Sequence, residues 1–561
     1  MEIYKDAQAS VDERVRDLLD RMTLEEMILQ TDQYSSGDFT VRERIDGQEV
    51  IRDVDLDRLD AVVHGNSVGS IQVHGLTPEM TNRIQRYAVE KTRLGIPFLF
   101  SQEALHGVGH QDATSFPQQI GLAATFDPAR GREMGRAIGT EARALGIHET
   151  FSPVMDLIRD PRYGRTEESY GEDTFLCASF AREVVTGLQG ERLSDPDAVA
   201  AEPKHYAGYG APVGGLNCAP CIMGRHEVYS DVLPIFEAAV AGAGAVNVMC
   251  SYNAIDGIPV SADHELLTDI LRDRWGMRGF VRSDMTAVER LYDNHYVAPT
   301  RRDAMAMGLA AGVDLQLFDF PHDEWQGGLR DLVLSGELDE AVIRQACGRV
   351  LKVKFLLGLF EHPYVEESRK ERFVHTEAHL ALAHRIARES IVLLKNEGSI
   401  LPLDKKIGTV AVLGPCADHA VLGDYTPHGK TGISVLEGIR RTVSPDTKVL
   451  YEAGCKILGD LARPFPPGIL TDDDGAPGLT GRYYKGPEPC GEPVMTQNDR
   501  SIDFNWLMNG SPIREEVFSV VWTGWLTPRE TFDGRIGFRT QDSMRLYVDG
   551  DLILDGWGET K

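Results

Sequence analysis

Long apolar runs are missing from this chain. No stretch of the 561 residues approaches the ~20 consecutive apolar residues that a membrane-spanning helix needs. The first 19 residues carry acidic side chains throughout and have no apolar centre, so no signal peptide is visible. These two absences predict a cytoplasmic protein that does not bind a membrane.

Basic residues are scarce relative to acidic ones. The sequence has 58 Lys and Arg against 86 Asp and Glu, which gives a formal charge of -28. A polyanion such as nucleic acid, or an anionic membrane surface, would be repelled by this excess. A neutral or cationic small substrate is the partner that the charge favours, and oligomeric state is left open, a homo-oligomer included.

Cysteines are few and scattered, which argues against a disulfide scaffold and fits a reducing compartment. Cys218 and Cys221 form a CxxC pair that could indicate a metal or redox site. No second pair lies nearby, and a loop with two free thiols is the simpler interpretation. The glycine fingerprint of a dinucleotide-binding crevice is also missing after the first strand, and we expect no cofactor.

Helix and strand signals alternate over residues 1–360, where five apolar runs each end in polar side chains that would be costly to bury alone. Repeated βα units imply a parallel sheet, and six or more units in over 300 residues favour a (β/α)8-type barrel over an open sheet. The runs are 96–101 before Glu103, 147–154 before Asp156, Asp160 and Arg162, 197–202 before Lys204 and His205, 245–250 before Tyr252, and 279–283 before Asp284.

The composition and the predicted secondary structure change twice in the rest of the chain. Residues 361–385 are charged and strand-poor, as in a linker, and residues 386–476 are typical of the start of a second α/β domain. From 477 to 561 short alternating strands with aromatic residues and Gly/Pro turns predict an all-β module, with Asp549-Gly550 as a hairpin turn. This module looks incomplete at Lys561.

The polar groups at the strand ends suit the hydrolysis of glycosides. That chemistry needs one carboxylate to attack or stabilise the anomeric carbon and another to protonate the leaving oxygen. Further acids and bases can bind the sugar hydroxyls, because each hydroxyl both donates and accepts hydrogen bonds. Neither a metal-ligand spacing nor a phosphate-binding loop accompanies these residues.

The motifs resemble glycoside hydrolase family 3. Residues 152–173 are similar to that family's DPRWGR…GED signature, with Tyr163 in place of the usual Trp, and residues 204–207 resemble its KHF motif. Residues 249–253 and Ser283-Asp284 look like the segments that carry its tyrosine and nucleophile. Residues 391–425 resemble the family's α/β-sandwich domain, and 478–561 resemble a PA14 module that some members insert there.

The resemblance implies a role for each candidate residue. Asp284 would be the nucleophile of a retaining mechanism, and Tyr252 would contact it and keep it oriented. Glu103 would hold distal hydroxyls of the terminal sugar, while Arg162, Lys204 and His205 would bind neighbouring hydroxyls. Met285 stands where the family often has Trp, which puts the aromatic platform of the sugar subsite in question.

The acid/base glutamate of the family comes from the second domain, beyond the insert in PA14-bearing members. No glutamate between residues 386 and 561 sits in a matching context, so either the sequence is truncated or a second chain supplies the rest. The expected activity is removal of terminal β-D-glucosyl units from small or oligosaccharide β-glycosides. A β-xylosidase and a sugar-binding protein with an inactive site are the alternatives, whereas residues 207–210 lack the second His of the family's N-acetylglucosaminidases.

Overall fold

The computed structural model describes residues 2–45, 48–427, 430–455, 465, 468–504, 506, 513, 517–529, 531, 533–540 and 542–558. The chain forms two compact units. The first consists of residues 1–41, 53–403 and 421–432, and the second of residues 42–52, 404–420 and 433–561. In the described ranges, no helix has both the length and the apolar character needed to cross a bilayer.

The first unit is built on a closed ring of parallel strands, which confirms the predicted α/β barrel. Its strands are Gln33–Ser35, Ser70–Gln72, Leu99–Gln102, Glu149–Thr150, Ala200–Ala201, Val248–Met249 and Val281–Arg282. Residues 315–316 take the eighth position, since Leu315 pairs with Arg282 and Gln316 pairs with Asp32 beside the first strand. The ring is completed between the fifth and sixth strands by the parallel bridge from Tyr206 to Cys250.

Helices follow the strands, and side chains that accept a hydrogen bond at the N-cap fix where many of them begin. Thr23 and Glu26 form a capping box, and Asp127, Asp173 and Thr300 cap later helices. The principal helices of the barrel are Val11–Leu19, Leu24–Leu29, Leu56–Val62, Pro78–Lys91, Pro128–Ala144, Thr174–Gln189, Leu233–Glu237, Glu265–Arg274, Arg301–Ala311, His322–Leu334 and Glu340–Leu356.

An apolar layer fills the space between the ring and its helices. Leu99, Phe280 and Leu315 from the strands pack with Val350 and Val353 of the last barrel helix, and all five are fully buried. This layer joins the strands to the surrounding helices and removes both surfaces from water.

The interior also contains a buried ion cluster. Arg282 bonds to both oxygens of Glu202 at 3.0 Å and to Glu149, and all three side chains are completely buried. Burial raises the pKa of Glu202 well above its usual range, against the opposing attraction of Arg282. Because Arg282 is the second residue of the strand that leads to Asp284, this cluster anchors that strand inside the barrel.

Residues 361–403 are more ordered than a linker. Helices Arg369–Phe373 and Glu377–Glu389 occupy most of the predicted linker, and the chain up to Leu403 groups with the barrel. The buried Glu141 accepts hydrogen bonds from the backbone N–H of His375 and from the His379 ring at 2.7 Å. High charge density here reflects a solvent-facing helix, which the strand-poor composition alone could not distinguish from a linker.

The second unit contains an α/β segment and an antiparallel β segment. Strands Thr409–Leu413 and Lys448–Glu452 are parallel, and helix Val435–Thr442 lies between them in sequence. Asp549 and Gly550, both at positive φ, form the predicted hairpin turn. The antiparallel strands, which agree with the predicted all-β module, are Leu470–Thr471, Leu479–Lys485, Met495–Asp499, Phe518–Thr523, Trp525–Leu526, Arg545–Val548 and Asp551–Asp555.

Candidate active site

The predicted site residues, apart from Arg162, follow the carboxyl ends of neighbouring barrel strands. Glu103 comes directly after strand Leu99–Gln102, and Lys204 and His205 follow Ala200–Ala201. Tyr252 and Asp284 follow the next two strands. In parallel barrels this end of the ring carries the functional groups. The ring therefore brings together side chains that are far apart in the chain.

Lys204 and Glu103 form a buried ion pair on one side of the site. The Lys204 Nζ donates to Glu103 Oε1 at 2.9 Å and to Oε2 at 2.8 Å. The ammonium also lies 5.1 Å from the centre of the Tyr425 ring and 6.0 Å from that of Phe151. Burial raises the pKa of Glu103, while Lys204 opposes that rise. The pair offers both a donor and an acceptor for hydrogen bonds.

His205 is held between a carboxylate and a guanidinium. Its Nδ1 lies 2.7 Å from Asp156 Oδ2, and its Nε2 accepts from Arg165 at 3.0 Å. Because a guanidinium only donates, the ring proton lies on Nδ1, which donates to Asp156. Burial, with Arg165 and Lys204 nearby, lowers the pKa of His205 well below its usual range, and burial raises the pKa of Asp156 to about 7. The imidazole is therefore neutral and fixed in one orientation.

Asp284 has one oxygen held and the other free. Oδ1 accepts from the Tyr252 hydroxyl at 2.8 Å and from the Met285 backbone N–H at 2.8 Å. Oδ2 is buried without a hydrogen-bond partner in the described part of the chain, and His205 Nε2 lies 3.5 Å away. Burial raises the pKa of Asp284, with Arg165 and Lys204 acting against the rise. An oriented carboxylate with a free oxygen suits a nucleophile.

Arg162 does not join this cluster. Its side chain is 69% exposed and pairs with Asp160 at 2.6 Å. Arg165, three residues later, lies in the cluster instead. It is bidentate to Glu168 at 2.7 and 2.8 Å and also contacts His205 and the Tyr425 hydroxyl. The two arginines lie in one short loop without a repeating pattern. Glu168, three residues after Arg165, is the sequence signal that could have distinguished the buried arginine from the exposed one.

Tyr425 is a site residue that the sequence did not single out. It comes from residues 421–432, which group with the barrel, and has a positive φ of 59°. The carbonyl oxygen of Asp424 lies 2.9 Å from the His106 ring, and the Asp424 N–H donates to Glu167 at 2.7 Å. These contacts place the Tyr425 ring beside Lys204. In the sequence, residues 423–425 indicate only a segment of the second domain.

Aromatic side chains line another side of the site. Tyr209 makes edge-to-face contacts with His205 and Tyr252, with ring centroids 5.0 and 5.5 Å apart. Its hydroxyl lies 3.9 Å from the free thiol of Cys218, so the CxxC loop reaches the site without a disulfide. Met285 packs against the apolar cluster that contains Phe151. Within the described ranges, no group of three His, Cys, Asp or Glu is arranged to hold a metal ion.

The parallel barrel and its cluster of carboxylates with paired cations are typical of enzymes that act on sugars. The family model described as "Glycosyl hydrolase family 3 N terminal domain" matches residues 40–353, and a PA14 domain model matches residues 475–561. The chain belongs to glycoside hydrolase family 3, in agreement with the resemblance of its motifs.

Two curated relatives show the range of names in the family. The chain is 36% identical to a "Putative beta-xylosidase" of Formosa agariphila, covering 73% of this chain and 54% of the relative. It is also 36% identical to a "Periplasmic beta-glucosidase" of Salmonella typhimurium, covering 80% and 56%. The chain thus spans a little over half the length of these relatives.

Solved structures of similar proteins share this fold over most of the chain. A β-glucosidase from Erythrobacter marinus matches with a TM-score of 0.74 at 36% identity, covering 82% of this chain and 60% of that one. A β-glucosidase from Listeria innocua in complex with glucose matches with a TM-score of 0.70 at 33% identity, covering 80% and 61%.

Proposed function

We propose that the protein is a retaining exo-β-glycosidase that removes terminal β-D-glucosyl units, with Asp284 as nucleophile. The observation that carries the proposal is the asymmetry of the Asp284 carboxylate. Tyr252 and the Met285 N–H hold Oδ1, while Oδ2 is buried and has no hydrogen-bond partner among the described residues. Burying a carboxylate oxygen without a hydrogen-bond partner costs free energy, and such an oxygen is free to form a bond to the anomeric carbon.

The reaction proceeds in two displacements. Asp284 Oδ2 attacks the anomeric carbon, the bond to the leaving oxygen breaks, and that oxygen takes a proton from a general acid that we do not assign to a residue of this chain. Water then attacks the same carbon and gives a proton to the deprotonated general acid, while the bond from the carbon to Asp284 Oδ2 breaks, which releases the sugar and restores the carboxylate. Tyr252 keeps the carboxylate oriented by donating to Oδ1 throughout.

The remaining groups bind the hydroxyls of the terminal sugar. Glu103 and Lys204 form one charged pair that faces the sugar, and His205 and Arg165 form a second pair. Each cation is already paired with a carboxylate, so these groups are oriented before the substrate arrives. A carboxylate such as Glu103 that accepts from hydroxyls at C4 and C6 would favour a hexose over a pentose, since a pentose lacks the second hydroxyl.

A covalent-labelling experiment tests the nucleophile. The full-length protein is incubated with 2,4-dinitrophenyl 2-deoxy-2-fluoro-β-D-glucoside, digested and mapped by mass spectrometry. The expected label is on the peptide with Asp284, and Asp284→Ala should remain unlabelled because its carboxylate is gone. A label on another carboxylate rejects the assignment, while sugar binding without labelling or turnover would indicate a binding protein with an inactive site.

A β-xylosidase is the second candidate, because several curated relatives carry that name at 33–36% identity. Xylose and glucose differ only by the hydroxymethyl group at C5, so the two candidates share every other contact. The ratio of kcat/KM for p-nitrophenyl β-glucoside and β-xyloside decides between them. We expect the glucoside to be preferred about tenfold or more, from one additional hydrogen bond to a charged group. A preference for the xyloside selects the second candidate.

A further inference from the structure

The loop that carries Asp284 is strained. It leaves strand Val281–Arg282 at Ser283 and turns through Thr286, whose φ is +65°. A β-branched residue in the left-handed region is an outlier that persists only when its surroundings hold it there. The Thr286 N–H donates to the Leu317 carbonyl at 3.4 Å, and Phe318 beside it also has a positive φ of 52°. Two strained turns are therefore packed against each other behind the candidate nucleophile.

Asp319 joins the two turns. Its Oδ2 accepts from the Ser283 hydroxyl, and its Oδ1 accepts from the N–H of Val288 at 2.5 Å and of Glu289 at 3.4 Å. Ser283 Oγ in turn accepts from the Leu317 N–H at 2.7 Å. One buried carboxylate thus takes donors from both sides of Asp284.

This arrangement affects the Asp284 carboxylate itself. The Met285 N–H that holds its Oδ1 belongs to the same turn, so the direction of that N–H follows the conformation of the turn. The Tyr252 hydroxyl comes from the segment that follows strand Val248–Met249 and gives a second, separate point of attachment. A shift of the turn would move the Met285 N–H relative to Tyr252 and rotate the carboxylate between them.

We propose that Asp319 is a positioning residue for the nucleophile: its carboxylate holds the strained turn that aims the free oxygen of Asp284. The inference rests on the proposed function, because it assigns Asp319 a role in the attack by Asp284. Asp319 acts through the residues on both sides of Asp284 rather than directly on its carboxylate.

The test compares Asp319→Ala, Asp319→Asn and a matched control, Asp314→Asn, in the full-length protein. Asp314 is also buried, and it bonds to Arg272, Arg349 and the Val281 N–H at the other end of the same strand. The readouts are the rate constant and the apparent binding constant for inactivation by the 2-fluoro-glucoside, together with Tm. Inactivation does not require turnover, so it isolates the attack by the carboxylate.

We expect Asp319→Ala to lower the inactivation rate constant about 100-fold with little change in the binding constant, because a misplacement of about 1 Å costs that much. Asp319→Asn should lose less, since its amide oxygen can still accept from Val288 and Glu289. Asp314→Asn should lower Tm alone. If Asp319→Ala fails to fold, Asp319→Asn and Ser283→Ala, each of which removes part of the contact, should still show the lower rate constant.

The outcomes separate this inference from the proposed function. A wild type that is labelled at Asp284, with Asp319 variants labelled at the same rate, overturns the positioning role and leaves the function intact. An equal loss in Asp314→Asn also overturns it, because the effect would then be general. A wild type that is not labelled at Asp284 rejects the function, and the positioning role with it.

Discussion

At the scale of single residues, the site consists of charges that are already satisfied by one another. Lys204 is paired with Glu103, and Arg165 with Glu168. Under the proposed function, a sugar hydroxyl would meet donors and acceptors that are already fixed in place, and its binding would break no strong ion pair. Asp284 differs from all of them because one of its oxygens has no hydrogen-bond partner among the described groups.

Arg165 gives a direct test of this organisation, with Arg162 as its matched control. Arg165→Lys loses the bidentate bond to Glu168 and the contacts to His205 and Tyr425, since an ammonium cannot reproduce the planar fork. We expect kcat/KM to fall about 100-fold, the cost of a few bonds between charged groups. Arg162→Lys should stay within about twofold, because that side chain is 69% exposed. Equal losses would contradict the assignment of Arg165.

The residues that the sequence identified are those at strand ends. An apolar run that stops at a polar residue indicates both the strand and its carboxyl end, and this placed Glu103, Lys204, His205, Tyr252 and Asp284. Arg165 and Tyr425 lie on irregular loops, where no periodicity shows which side chain turns inward. Tyr425 is also distant in the chain from Lys204, so nothing in the local sequence around either residue indicates their contact.

At the scale of secondary structure, the barrel strands are short, and they differ in how clearly the sequence indicates them. The three strand positions that the sequence did not reveal are Gln33–Ser35, Ser70–Gln72 and residues 315–316. Each is only two or three residues long and carries Ser or Gln in place of a continuous apolar run. Helix Pro128–Ala144, in contrast, is long enough for an apolar periodicity that extends over several turns.

Gly279 tests how closely the strand that leads to Asp284 is packed. A methyl group placed on Gly279 would lie within 3 Å of Asn247 Oδ1, the Val246 carbonyl oxygen and the Val353 side chain. Backbone atoms cannot move aside cheaply, so Gly279→Ala should destabilise the barrel by ~1–3 kcal/mol or more. Gly224→Ala, where nothing lies within 4 Å, is the control.

Thermal unfolding monitored by circular dichroism checks this prediction. Gly279→Ala should lower Tm by several degrees relative to wild type, and Gly224→Ala should leave it nearly unchanged. Equal Tm values for the two variants would mean that the strand can shift to accept a side chain.

At the scale of the whole molecule, charge is buried in the middle of the barrel rather than excluded from it. The cluster of Arg282 with Glu149 and Glu202 has two acids for one base, and none of the three side chains is exposed. Burial accordingly raises the pKa of Glu202 well above its usual range. A group whose pKa is raised on folding favours the folded state at low pH, and that contribution is lost as pH rises through the folded-state pKa.

Arg282→Met should therefore destabilise the barrel in a pH-dependent way. Removing the arginine leaves two buried carboxylates without their cation, which costs ~3–5 kcal/mol. Protonation of Glu202 relieves part of this cost, so the loss of Tm should be larger at about pH 8 than at about pH 5. Scanning calorimetry of wild type and variant at both pH values measures it, and a loss independent of pH would contradict the ionised cluster.

Ring closure between Asp32 and Gln316 has a consequence for how the protein is made. The two residues are 284 positions apart, yet they pair directly and their side chains share a hydrogen bond at 2.7 Å. At ~5–20 residues per second, a ribosome needs about 15 to 60 s to synthesise the chain between them. For that time the edge of the first strand has no partner, and unpaired edges promote association between chains. The nascent barrel is thus expected to be most prone to association with other chains until residues 315–316 have been synthesised.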